Sequence, residues 1–210
     1  MFNYPEFLTF LAALFAIMNP IGAVPIFIGL TGDRSVAERR RTAFITPLAV
    51  AVILLISAAA GNEILSFFGI SVASFRVAGG LIILLMAIAM LHSKQSHIHH
   101  TPEEHEEAKT KDSVAIVPLA IPLLGGPGSI ATVIVYVHHI GGVSGFVTVG
   151  AGVIVICALL TVLMLFATPL AKLLGQTGIN IATRIMGIIL AAIAIEMLAD
   201  GLKGIFPSIA

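Results

Sequence analysis

The sequence predicts an all-α polytopic membrane protein: six transmembrane helices forming two inverted three-helix repeats, with the first and fourth helices broken near their middles. Three observations predict it. Of the 210 residues, 58% are hydrophobic and 10% charged, with a mean hydropathy of +1.08, whereas a soluble domain carries about 25% charge. Six apolar stretches recur, at 7–30, 42–60, 72–91, 114–137, 143–167 and 181–202. Each spans a hydrocarbon core of about 30 Å at about 1.5 Å per residue. Finally, the first and fourth stretches carry proline and glycine at their centres. Barrel strands are excluded, because they are short and alternate apolar with polar residues.

The first stretch, 7–30, lacks a basic leading region and is longer than a signal-peptide core, so it is expected to be a retained span. Its centre reads Met18-Asn19-Pro20-Ile21-Gly22-Ala23-Val24-Pro25. Proline inside a helix removes a backbone donor and clashes with the carbonyl four residues back. In hydrocarbon a freed backbone group costs several kcal/mol, so such a break belongs inside protein or against a polar cavity. The second and third stretches are uninterrupted apart from Pro47. Residues 93–113, rich in Lys, Glu and His without periodicity, read as a mobile linker between halves 1–92 and 114–210 of one membrane domain. The fourth stretch repeats the interruption as Pro122-Leu123-Leu124-Gly125-Gly126-Pro127-Gly128-Ser129. The fifth contains Cys157, the single cysteine, which reads as packing.

The halves correspond. Arg76-Val77-Ala78-Gly79 and Arg184-Ile185-Met186-Gly187 are offset by 108 positions, and Pro20 and Pro127 by 107. Each half holds an odd number of spans, so the second copy must be inverted about an axis in the membrane plane. Nine of the 11 Lys and Arg residues fall on one side of this arrangement, with Arg76 and Lys203 on the other. The charge bias therefore places both termini outside the cell membrane and the loops 31–41, 93–113 and 168–180 in the cytoplasm.

Paired central interruptions at equivalent places point to a transporter binding site. A half-helix N-terminus offers unpaired N–H groups and a half-helix C-terminus unpaired carbonyls. A small zwitterionic amino acid fits both ends. The candidate substrate-binding residues are Asn19, Pro20, Gly22, Pro25, Gly126, Pro127, Gly128, Ser129 and Thr132. Asn19, Ser129 and Thr132 are expected to add side-chain hydrogen bonds, and the glycines to allow close backbone approach. Glu196 and Asp200, one turn apart, are the candidates for carrying a coupling proton, Na+ being the other ion considered. An interfacial ion pair of Asp200 with Lys203 is the simpler reading and is preferred. Arg76 and Arg184 are expected to snorkel from span ends. His97, His99, His100 and His105 raise a divalent-metal transporter as the alternative, but a solvated linker is preferred and no metal site is assigned. No catalytic spacing lies in the spans, so neither an enzyme nor a cofactor is expected. Zero formal net charge gives no case for nucleic acid; membrane lipid is the expected surrounding.

At 19–27 and 118–132 the chain resembles the MarC family of integral membrane proteins, and Arg39-Arg40-Arg41, Arg184-Ile185-Met186-Gly187 and Asp200-Gly201 are similar to it as well. The resemblance covers nearly the whole chain apart from the His-rich linker. It implies a transporter of small neutral amino acids such as glycine and alanine, driven by an ion gradient, with its substrate site at the two broken helices.

Overall fold

A computed structural model describes residues 4–92, 119–120 and 124–207. The linker 93–113, with its histidines, lies outside the described residues, as does most of the first half of the fourth stretch. Among the described residues seven helices follow in order: α1 Tyr4–Met18, α2 Pro20–Thr31, α3 Val36–Phe67, α4 Val72–Leu91, α5 Pro127–Ile140, α6 Gly142–Leu165 and α7 Ala167–Ile205. Among the described residues, five segments are long and apolar enough to cross a membrane: α1 with α2, then α3, α4, α6 and α7. The expected span 114–137 is represented by α5 alone, a half-length helix of 14 residues.

The helix ends follow from local chemistry. Ser35 begins α3 with a capping box: Glu38 N–H donates to Ser35 Oγ (3.3 Å) and Ser35 N–H donates to the Glu38 carboxylate (2.8 Å). Gly69, at φ 68, ends α3, letting Ile70 N–H reach the Leu65 carbonyl (2.9 Å) and Gly69 N–H reach Ser66 (3.0 Å). Ser71 then caps α4 by accepting from Ser74 N–H at 3.0 Å. The bounds of α4 are those expected from hydropathy. Residues 168–180 require a correction, because they are helical rather than a loop. The chain continues through α7 with one break at Gly175 (φ 60, ψ 174), a backbone state that glycine adopts without a Cβ clash.

Two hydrophobic clusters hold the bundle together. One joins Phe10 and Leu14 of α1 to Phe27, Val50, Leu54, Val133, Val153 and Leu160. The other joins Ala16 and Ile17 of α1 to Ile83, Ala87, Val135, Leu190 and Ala194. Helices α1 and α5 contribute buried residues to both clusters, as does α7 through Ala167 at its start. The outside is apolar too. On α3, Phe44, Leu48, Val52 and Ile56 lie at four-residue spacing and are all exposed. A helix apolar on every side suits lipid rather than water.

Helix α3 packs on α6, and α4 on α7. The α4–α7 seam is antiparallel and lined with glycine. A Cβ at Gly80 would stand 3.0 Å from the Ala194 carbonyl, one at Gly187 3.2 Å from the Ala87 carbonyl, and one at Gly201 3.0 Å from the Ala73 carbonyl. Between two apolar surfaces in lipid, close backbone approach supplies the attraction that the hydrophobic effect does not. Accordingly, Gly201→Ala is expected to cost about 1–3 kcal/mol by overpacking. Gly29→Ala, with nothing within 4 Å of the new methyl, should be tolerated. Thermal midpoints of the two variants in detergent check the contrast.

Candidate functional site

The first interruption is one residue long. Asn19 has φ 41 and ψ 62 and is the only non-glycine at positive φ among the described residues. Asparagine tolerates this left-handed state better than other side chains. Its side-chain oxygen accepts from Gly22 N–H at 3.2 Å and so caps α2. Its backbone stays tied in, donating to the Phe15 carbonyl (3.0 Å) and accepting from Ala23 N–H (3.1 Å). Pro20 has no N–H for the Ala16 carbonyl, and Gly22 gives its N–H to Asn19 rather than to Met18. The C-terminal carbonyls of Ala16 and Met18 thus lose their usual helical donors inside a buried segment.

The role of Gly22 is now specific. A Cβ there would collide with the Asn19 side-chain amide, lying 2.8 Å from its Cγ. Gly22 makes room for the cap on its own helix. Pro25 stands inside α2, half-buried, and denies an N–H to the Ile21 carbonyl.

The second interruption lies at the start of α5. Gly125 N–H donates to the Ala120 carbonyl (2.9 Å), a wider turn than an α-helix makes. Gly126 is the N-cap residue, extended at φ −76 and ψ −177, and no side chain caps the helix. Gly126, Gly128 and Ser129 are buried, whereas Pro127 is exposed. The structure brings the two breaks together: a Cβ at Gly128 would sit 3.4 Å from Ile17 Cγ2 and 3.3 Å from Ile83 and Met86 side-chain atoms.

Several expected roles change. Ser129 Oγ donates to the Leu124 carbonyl across the break at 2.8 Å, and Thr132 Oγ1 donates to the Gly128 carbonyl at 2.9 Å. Both hydroxyl protons are therefore committed to backbone, and what remains for a ligand is their acceptor capacity. Asp200 pairs with Arg76 of α4 at 3.7 Å, rather than with Lys203. Arg76 does not snorkel. Its side chain is 16% exposed against 58% for Asp200, and its Nε is buried with no hydrogen-bond partner. Glu196 is exposed on α7, one turn before Asp200. His139 of α5 faces Glu6 of α1 at 3.6 Å.

One residue was misplaced by the sequence reading and one escaped it. Arg76 was visible as part of a repeated motif, but its burial depended on the α4–α7 packing. Thr148 of α6 is fully buried with an unpartnered hydroxyl, and a threonine in an apolar run gives no such signal.

These features define a class: an integral, multi-pass helical membrane protein in which two interrupted helices meet inside the bundle. Residues 4–206 match the MarC family of integral membrane proteins. The chain belongs to that family. It is 40% identical to the UPF0056 membrane protein YhcE of Escherichia coli (strain K12), over 99% of this chain and 97% of that one. It is 38% identical to the UPF0056 membrane protein YvbG of Bacillus subtilis (strain 168), over 93% of both. It is 35% identical to a UPF0056 membrane protein of Aquifex aeolicus (strain VF5), over 92% of this chain and 90% of that one. No solved structure matches it.

Two predictions follow from the geometry of the breaks and the ion pair. Asn19→Ala removes both the cap and the left-handed tolerance and is expected to cost about 2–3 kcal/mol, while Asn19→Gly costs only a few tenths. Gly22→Ala, which stabilises an ordinary helix, should here destabilise; thermal midpoints report all three signs. Asp200→Asn leaves the Arg76 guanidinium without its carboxylate. A double-mutant cycle with Arg76→Gln should return a favourable coupling of about 1 kcal/mol or less, given how exposed Asp200 is.

Proposed function

We propose that the protein is a secondary transporter of small neutral amino acids, glycine or alanine in kind, coupled to a proton or Na+ gradient. One observation carries the reading: the uncapped, buried N-terminus of α5 lies beside the point where α1 loses its helical donors. Unpaired N–H groups suit a carboxylate, and open carbonyls suit an ammonium group. The substrate's carboxylate is assigned to the N–H groups of Gly128 and Ser129, and its ammonium to the carbonyls of Ala16 and Met18. The candidate residues at the breaks, Asn19, Pro20, Gly22, Pro25, Gly126, Pro127, Gly128, Ser129 and Thr132, carry no ionisable side chain. The site therefore favours a ligand with no net charge. Ile17, Ile83 and Met86 crowd Gly128 and restrict the ligand to a small side chain.

The pattern of packing supports two inverted repeats of three spans. The second span packs on the fifth as α3 on α6, and the third on the sixth as α4 on α7. The two breaks also meet, so each span packs on its counterpart, an arrangement compatible with a twofold axis in the membrane plane. In this reading α5 belongs to the fourth span, and both termini lie outside. Glu196 is the preferred coupling carboxylate, since Asp200 is engaged by Arg76. The divalent-metal alternative draws no support from the described residues, where no three His, Cys, Asp or Glu side chains converge.

Proteoliposomes loaded with unlabelled alanine are expected to accumulate labelled glycine saturably, with competition by alanine and none by leucine or arginine. Imposed pH and Na+ gradients separate the two coupling ions. Gly128→Val should lower flux by about tenfold or more, a loss of about 1.4 kcal/mol, in protein that remains monodisperse. Absence of counterflow across a full amino-acid panel would end this reading.

A further inference from the structure

A cavity of about 200 Å³ opens at the end of the bundle that carries the basic residues. It lies between α2, the start of α3, the end of α6 and the start of α7. Phe27, Val36, Ala43, Met164 and Leu165 form an apolar wall, while Arg39, Arg40 and Thr168 supply the polar groups. Arg39 is half-buried, and its Nη2 donates to Thr168 Oγ1 at 2.8 Å. That single neutral partner accepts one of the five N–H donors of a guanidinium. Among the described residues no carboxylate lies within ion-pair distance of Arg39 or Arg40. Glu38, the nearest acid in sequence, is held by Ser35 in the capping box.

A half-buried guanidinium fixed by a hydroxyl, with a second arginine lining the same space, is matched by a phosphate group. The arginine fork takes two phosphate oxygens at once, and a threonine hydroxyl adds a further contact. Depth selects the source. Arg39 and Arg40 precede the apolar run of α3 by less than one turn, at the level of lipid headgroups, and the apolar wall continues from them toward the core. The loop charges assign this end to the cytoplasm, where membranes expose anionic lipid. We propose that this cavity is a binding site for a phosphate-bearing anion, and that its occupant is the headgroup of an anionic phospholipid whose glycerol and upper acyl chains lie along Phe27, Met164 and Leu165. The site is separate from the two helix breaks, so its occupancy does not depend on what is transported.

The test uses the full-length protein in a zwitterionic detergent, titrated separately with short-chain phosphatidylglycerol, short-chain phosphatidylcholine and inorganic phosphate, while thermal unfolding is followed. Phosphatidylglycerol is expected to raise the midpoint by about 3 °C at ten times its dissociation constant, with little response to phosphatidylcholine. Arg40→Gln keeps the Arg39–Thr168 bond and should weaken the response, and Arg39→Gln should remove it. Arg41→Gln, next in the chain but outside the cavity, should retain it. Because Arg39→Gln also removes the bond to Thr168, Thr168→Val serves as the comparison: it loses the same bond and one phosphate contact but keeps both guanidinium charges, so its response should be weaker than that of the unmodified protein and clearly larger than that of Arg39→Gln. No response to phosphatidylglycerol, or a response unchanged in both the Arg39 and Arg40 variants, overturns the proposal. An equal response to inorganic phosphate at the same concentration overturns the lipid as occupant.

Discussion

Everything in this molecule answers to one constraint, that a backbone polar group freed within hydrocarbon must be partnered or kept away from lipid. Pro20 and the Gly126-Pro127 step free such groups near the middle of two apolar segments. Around the first break, Asn19 turns left-handed, caps α2 with its side chain and keeps its own backbone hydrogen-bonded. Around the second, Ser129 bridges back to the carbonyl of Leu124. Ala16, Met18, Gly128 and Ser129, the residues flanking the two breaks, are buried. Burial of α1 and α5 within the two hydrophobic clusters keeps the breaks away from lipid. Uninterrupted helices of this composition would be equally content facing lipid.

The remaining helices enclose that centre by a different means. Both their inner and outer faces are apolar, so burial alone does not select which face turns inward. Size does. Gly80, Gly187 and Gly201 bring the α4 and α7 backbones together, where dispersion between close-packed chains replaces the hydrophobic effect. Arg76 sits on that seam and reaches Asp200 at its edge. A charge at this position is tolerated because the opposing helix supplies a carboxylate, whereas lipid would supply nothing.

The polar cavity at Arg39 and Arg40 follows the opposite logic from the breaks. At the breaks the protein offers backbone dipoles without formal charge, deep in the bundle. At the arginines it offers formal charge, with no carboxylate within ion-pair distance among the described residues, at the mouth of a cavity. The two regions accordingly suit different partners.

Membrane residence, the limits of α4 and the place of both interruptions were legible in the chain itself. Hydropathy is a sum over neighbours, and proline acts on its own helix, so neither needs a tertiary partner. The continuation of α7 through 168–180 was not legible, because polar residues there resemble a loop and only the backbone state of Gly175 marks the turn. Nor was the engagement of Ser129 and Thr132 with carbonyls, since a hydroxyl's direction depends on which backbone groups the break leaves open. The partner of Asp200 required the antiparallel seam: Lys203 was near in sequence, but Arg76 is near in space. What the chain determined by itself was that it is a helical membrane protein and where two of its apolar segments are interrupted, because those are properties of short segments in lipid. Tertiary structure alone decided that the breaks meet and which charges pair, because in an apolar medium only the fit of opposing surfaces chooses neighbours.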